Sequence, residues 1–481
     1  MLQAGLIGRP LAAYAVLTFL YINWPAVETA SESTEPFGDD PLALPAFDEL
    51  ERAGSSGAAV AEPALTGSSG AAVAEPPLPG TGVSVRRRRQ PRGRRRTRLP
   101  AATRQEVLWI CVIYLAARLL LLLTAFLQSK FGHAPFQNEL ANWDGFWYRE
   151  LANKGYPSSV SHAQTTLGFF PLFPLTIWPV EHVLGLLMPG HLILAATLAG
   201  VLISGAGGLV ATILVHRLTD GWWGRETARR AAILFVLFPG SVVFSMVYSE
   251  GLLLPLVAGC LYALERRRWV LAGVLAAFGT AVQPVGLVLA PVCLIGAALE
   301  IRRSGWRSRE ARRSLLAPVL APVGAICFMA FLWLWTGNPF ANYIAQHHGW
   351  SEKTTPLALV HLTTKLAGEL SFAHFNQPTI NLNLVFGLIG AIVLVVLLVL
   401  LWFCRREVSP PAIAWTLAIS FLAFTSSEVP PNPRMLLTAF PALLTVARYA
   451  RGRWFTVIAW INGGLLVGLS LLTFYGLTLR P

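Results

Sequence analysis

From residue 105 onward the chain alternates long apolar runs with short basic segments. Eleven runs reach or approach the roughly 20 apolar residues that a helix needs to cross the hydrocarbon core of a bilayer. They are 106–127, 191–216, 230–247, 250–264, 269–283, 285–300, 314–335, 381–403, 411–427, 434–448 and 454–478. Basic residues cluster in alternate connections: Arg217 to Arg230, Arg266 to Arg268, Arg302 to Arg313, Arg405 with Arg406, and Arg451 with Arg453. Inner loops retain Lys and Arg, so these connections belong on one side, the cytoplasmic one. One run breaks the alternation. The stretch 168–188 is apolar but contains Pro171, Pro174, Pro179, Glu181 and His182, and if it spanned, every later basic loop would lie outside. It is therefore expected to be a re-entrant or interfacial helix on the outer face. The pattern predicts an all-α polytopic membrane protein of about eleven transmembrane helices, with amphipathic helices in its external loops. Two long loops, 128–190 and 336–380, and three short turns then face outward.

The first hundred residues follow another pattern. Residues 4–22 are apolar enough for a short helix or a signal-like segment but have only Arg9 as a basic flank, which leaves the role of 1–30 open. From 31 to 104 the chain is rich in Gly, Ser, Ala, Pro and acidic residues, and GSSGAAVAEP at 54–63 recurs at 67–76. Such a tract cannot bury a core and is expected to be a disordered leader. It ends in RRRRQPRGRRRTR, a cytoplasmic charge block placed just before the membrane domain at 105–481.

Composition sharpens the class rather than the function. With 54% apolar and 13% charged residues, 481 residues are too apolar for a soluble fold, and 16 Trp suit a protein with many helix ends at the interface. The net charge of +13 is explained by the arginine block and inner loops, so no nucleic-acid partner is expected. Cys111, Cys260, Cys293, Cys327 and Cys404 are widely separated and fall inside or at the edge of spans, as small buried hydrophobes do.

Candidate chemistry lies in the outer segments. In NWDGFWYRELANKGYP, Trp143, Phe146, Trp147 and Leu151 recur at helical spacing, and Asp144 and Tyr148 share an adjacent face. This fits a helix lying on the membrane with a carboxylate at its edge. It is either an aromatic-belt helix with a solvated polar face or the site of a general base, Asp144. A base at a lipid–water boundary suits glycosyl transfer, in which an acceptor hydroxyl loses its proton and a phosphate leaves within a cationic cradle. Arg149, Lys154 and Arg434 are outer cations able to supply that cradle or simply to snorkel. TLGFFPLFPLTIW, from Thr166 to Trp178, is a stiff apolar wedge that lines a lipid-tail groove or packs as a kinked interfacial helix. Glu250, in the turn VYSEG, is structural or substrate-facing; Gln283 bonds a sugar or satisfies freed carbonyls. His347 and His348 are adjacent and so share no helix face; without a carboxylate at ligand spacing a zinc site is not expected, and contact with sugar or phosphate is the alternative. EVPPNPRML, from Glu428 to Leu436, makes a rigid approach to Arg434. Arg118, in mid-span, demands a partner or a cavity.

WDGFWYRELANKGYP followed by FFPLFP, then FPGSVVFSMVYSE and PRMLLTAFP, resembles the bacterial mannosyltransferases related to the PIG-V family of GPI mannosyltransferases, within the GT-C superfamily. The resemblance runs in matching order over about 106–478. It implies a polyprenyl-phosphate mannose donor, inverting transfer to an α-mannoside, no nucleotide sugar or other cofactor, and a site on the extracytoplasmic face. The catalytic carboxylate of the first external loop then corresponds to Asp144, and Glu250 to the family's acidic turn. Trp143, Trp147, Tyr148, Arg149, Gln283, His347 and Arg434 are the accompanying candidates for substrate contact. Where family members often carry an arginine before the proline of QPVG, this chain has Gln283. Expected partners are the bilayer, the lipid-linked donor and a glycan, glycolipid or glycoprotein acceptor. The rival classes are a lipid or solute transporter, against which stands the absence of repeated halves, and a catalytically silent assembly partner.

Overall fold

The computed structural model describes residues 104–131, 135–369, 381–427 and 429–474. The undecided segment 1–30, the repeat tract, the arginine block and Glu428 lie outside the described residues. Within them the regular structure is helical, and the only β pairing is a single antiparallel bridge between Thr354 and Ser426.

The chain opens with α1 (Arg104–Phe131), which has Glu106 in its first turn and Lys130 in its last, both favourable to the helix dipole. After the shorter helices α2 (Asp144–Lys154) and α3 (Leu172–Leu187) it returns through the long α4 (Leu192–Trp223). Then follow α5 (Arg225–Leu237), α6 (Glu250–Glu265), α7 (Trp269–Thr280), α8 (Leu289–Ser304) and α9 (Val323–Thr336). The last part comprises α10 (Ala358–Glu369), α11 (Leu382–Cys404), α12 (Pro410–Thr425), α13 (Pro433–Thr438), α14 (Phe440–Tyr449) and α15 (Gly452–Phe474).

Among the described residues, six helical runs rather than eleven are long and apolar enough to cross a membrane: Arg104–Phe131, Leu192–Trp223, Pro284–Ser304, Arg309–Thr336, Leu382–Cys404 and Gly452–Phe474. A seventh is gained if Arg225–Leu237 and Pro239–Ser245, bent by 70°, count as one. The other expected spans fold as shorter pieces. Those at 250–264, 269–283 and 411–427 become helices of 16, 12 and 16 residues, and 434–448 divides into α13 and α14. Prolines account for much of this shortening, because each lacks the N–H that a continuing helix needs. Pro239 opens the bend, Pro284 follows the extended Gln283, and Pro441 lies in the first turn of α14.

The bend solves the problem of Arg118. Its guanidinium donates to Val236 O at 2.9 Å, to Ser241 Oγ at 3.0 Å and to Ser241 O, all at the break between α5 and the following 3-10 turn. A buried cation thus satisfies the carbonyls that the broken helix releases. Tyr114 and Phe244 flank it, with its guanidinium carbon 5.2 and 5.9 Å from their ring centres.

Helix α3, expected as a re-entrant or interfacial element, is 16 residues long with Pro179 inside, short of a full span. It buries Phe173, Pro174, Ile177 and Glu181. The two ends of the bundle differ. At one end α1 and α15 finish together, Thr124 lying 3.4 Å from Ser470, and Asn142 donates to Thr473 O at 3.1 Å. The other end gathers Glu106, Arg225, Arg229, Glu265 and Trp222.

Candidate active site

Three elements far apart in sequence converge at the first of these ends. Asp144 is the opening residue of α2, Glu250 the opening residue of α6, and Arg434 lies in the first turn of α13. Both carboxylates therefore stand where free backbone N–H groups favour negative charge. The Arg434 guanidinium is paired with Asp144 Oδ2, and its Nε lies 3.5 Å from Glu250 Oε1. Its carbon is 5.4 Å from the centre of the Tyr248 ring. One cation thus bridges two carboxylates over an aromatic face.

Close backbone approach makes the convergence possible. Val247 N–H donates to Leu140 O at 2.9 Å, fastening the turn before Glu250 to the loop before Asp144. Gly145 faces Val247 O, which a Cβ would approach to 3.0 Å. Gly240 is more restrictive: a Cβ there would meet Pro433 O at 2.1 Å, so glycine admits the strand of chain that carries Arg434. Trp143, immediately before the carboxylate, has φ 55°, a conformation L side chains rarely adopt, and packs partly buried on the core. Backbone strain of this kind survives only where surrounding structure enforces it.

Exposure separates the two acids. The Asp144 side chain is 37% exposed, whereas Glu250 is 5% and Arg434 17% exposed. Asp144 is thus the acid of the pair that a substrate could reach, and Glu250 the buried one. Behind them runs a neutral chain: Tyr148 OH donates to Ser249 Oγ at 2.8 Å, which donates to Gln283 Oε1 at 3.1 Å. Burial, reinforced by Asp144 and Glu250, holds the Tyr148 hydroxyl well above the ordinary phenol range, so it stays a donor. Gln283 thus ends this neutral chain, while Arg434 is the cation between the two acids.

The remaining candidates divide. Trp147 joins an aromatic group beside the pair, its ring centre 6.1 Å from Phe169 and 5.4 Å from Trp350. Trp350 reaches it from the second long loop, which is tied to the first by Asn342 Nδ2 to Leu167 O at 2.9 Å and Gln346 Nε2 to Gly168 O at 2.7 Å. Arg149, expected as part of the cradle, points elsewhere: it is buried and donates to Gln137 O and Asn138 Oδ1 at 3.3 Å and Thr197 Oγ1 at 3.4 Å. Lys154 is on the surface with Glu150 at 2.8 Å. His347 lies with Tyr343 and His348, whose ring meets His162 at 4.4 Å, and not with the Arg434 cluster. Tyr248, Ser249 and Trp350 were not singled out from the sequence. The first two flank Glu250 in VYSEG and were open to recognition there; Trp350 carries no comparable sequence signature.

A polytopic helical protein with an accessible acid–arginine pair at one end of its bundle is the class this geometry defines. Residues 115–334, somewhat under half of the chain, match the family described as Mannosyltransferase (PIG-V) and are similar to it. The stretch includes Asp144, Glu250 and Gln283; Arg434 lies beyond it. A similar curated protein is GPI alpha-1,6-mannosyltransferase 2 of Cricetulus griseus, 28% identical over 223 residues, which are 45% of this chain and 41% of that one. The match thus spans under half the length of that relative. Similar solved structures include ArnT from Cupriavidus metallidurans bound to undecaprenyl phosphate, with TM-score 0.44 and 16% identity over 73% of this chain and 62% of that one. Another is the oligosaccharyltransferase AglB from Archaeoglobus fulgidus, with TM-score 0.44 and 14% identity over 77% and 56%.

Proposed function

We propose that this protein transfers mannose from polyprenyl-phosphate mannose to an acceptor hydroxyl on the extracytoplasmic side, with inversion, giving an α-mannoside. The observation that carries this reading is the shared arginine: Arg434 holds the accessible Asp144 and the buried Glu250 at once. The PIG-V relationship supports mannose as the sugar. In the proposed reaction, Asp144 takes the proton of the acceptor hydroxyl as its oxygen bonds to the anomeric carbon. The bond between that carbon and the phosphate oxygen breaks, and polyprenyl phosphate leaves with the electron pair. A second carboxylic acid is unnecessary because phosphate leaves readily without protonation. Arg434 has donors enough to hold the departing phosphate while keeping Glu250 as its counter-ion. Binding of the donor phosphate then draws the guanidinium off Asp144, so the base becomes free when the sugar is in place. The aromatic group of Trp147, Phe169 and Trp350 offers flat apolar faces beside the reacting centre.

The donor is tested by supplying purified protein in liposomes with synthetic polyprenyl-phosphate mannose or with a nucleotide-activated mannose, together with extracted membrane acceptors. Transfer from the lipid donor alone is expected; transfer from the nucleotide sugar overturns the donor assignment. Facing is tested by cysteines replacing Lys353 and Arg307 in intact cells, of which the Lys353→Cys protein alone is expected to react with an impermeant reagent.

A further inference from the structure

The bundle end opposite Asp144 carries many arginines, and several are held in ion pairs. Arg225 and Arg229 hold Glu106, Arg267 lies 3.1 Å from Glu300, and Arg448 lies 3.1 Å from Glu407. Arg451 and Arg453 are exposed and, among the described residues, have no carboxylate partner; the guanidinium carbon of Arg453 lies 5.8 Å from the centre of the Trp454 ring. They lie where the chain leaves α14 through the extended Ala450 and enters α15 at Gly452, whose φ is 52°. Beside them is a groove of about 460 Å³, walled by Leu400 of α11, Val446 and Tyr449 of α14, Arg451, and Trp454 and Ile458 of α15.

The lining is graded. Leu400, Val446 and Ile458 are half-buried and aliphatic; Tyr449 and Trp454 are 50% and 64% exposed, and Arg451 stands at the rim. An aromatic collar beside exposed cations is the order in which a phospholipid presents its own parts, with apolar chain, interface and then headgroup. An open apolar groove among membrane helices is not left to water, and two guanidiniums without carboxylate partners favour an occupant bearing negative charge. We infer that this groove is a binding site for one anionic phospholipid, its acyl chain between α11, α14 and α15 and its phosphate on Arg451 and Arg453. Zwitterionic lipids share the chain but cancel the phosphate charge, so discrimination falls to the two arginines. The site is independent of the proposed transfer reaction, since it uses no residue of the Asp144 cluster.

The test is native mass spectrometry of the full-length protein released from nanodiscs of equal palmitoyl-oleoyl phosphatidylglycerol and phosphatidylcholine. Wild type is expected to retain one phosphatidylglycerol in about tenfold preference, given the usual contribution of each basic residue at an anionic surface. The R451Q/R453Q double variant loses the preference, and Arg451→Lys keeps most of it. Ile458→Trp, which fills the groove, loses the retained lipid with both arginines intact. Equal retention of the two lipids by wild type, or a preference unchanged in R451Q/R453Q, overturns the inference. Monodisperse elution and wild-type thermal stability of Arg451→Lys establish that the fold tolerates change at this position.

Discussion

Two carboxylate–guanidinium clusters occupy opposite ends of this bundle, and they are built with inverse stoichiometry. At one end a single arginine, Arg434, lies between two acids, Asp144 and Glu250. At the other a single buried acid, Glu106, 3% exposed, lies between Arg225 and Arg229, which are 51% and 45% exposed, and the exposed Glu226 lies 3.9 Å from Arg229 and 4.0 Å from Arg230. His216 Nε2 adds a third neighbour at 3.7 Å. In the first cluster the acids outnumber the arginine, and Asp144 is the more exposed of the two. In the second the surplus is positive and solvated, which anchors α1 to α5 and keeps basic charge at that end. The same pair of side chains thus makes, in our proposal, a reactive site or a staple according to which partner is in excess and which one meets solvent.

Breaking each cluster at its single member gives the sharpest contrast. Replacing Arg434 by methionine leaves two neighbouring carboxylates, one of them buried, without a cation. A loss of about 3–5 kcal/mol is expected, together with loss of transfer activity, from thermal and detergent inactivation of the purified full chain. Glu106→Gln is milder, because the arginines it releases are half in solvent already. A loss of about 1–3 kcal/mol is expected in the same assays, with the transfer rate per folded molecule unchanged. Equal effects of the two substitutions on turnover would erase the distinction between site and staple.

A smaller effect concerns Glu139, buried in the short helix Phe136–Glu139 of the first outer loop. Burial pushes its carboxyl up from an ordinary value of 4.5 to about 7. A raised folded-state pKa favours the protonated form, so its stabilising share is full below about 4.5 and is lost as pH rises through 7. Glu139→Gln is expected to flatten the fall in thermal stability between pH 5.5 and pH 8 relative to wild type. A parallel pH profile in the variant would show that Glu139 stays ionised with a partner.

Much of this was open to reading along the chain. Apolar runs and arginine placement predict a polytopic helical protein, and WDGFWY locates a carboxylate at the start of an outer helix. The number of full-length helices was less legible, because apolar runs such as 230–247 contain a proline and fold as bent pieces. Arg118 required a partner, but hydropathy does not say that the partner is the broken turn at Val236 and Ser241. Arg434 was recognisable as an outer cation, as was Arg149; only packing assigns the first to Asp144 across 290 positions and the second to the backbone near Gln137. Pairing of this kind depends on Gly145 and Gly240, whose missing side chains let three segments touch. No local pattern encodes that contact.

The central claim is that Asp144 is the proton acceptor and that Glu250 and Arg434 support it. Its most direct test is the rate of mannose transfer from polyprenyl-phosphate mannose by wild type and Asp144→Asn at matched folded protein, with Glu106→Gln as control. The account predicts a 10²- to 10⁴-fold fall for Asp144→Asn and none for the control. Transfer by Asp144→Asn at the wild-type rate would contradict it and assign the chemistry to another group.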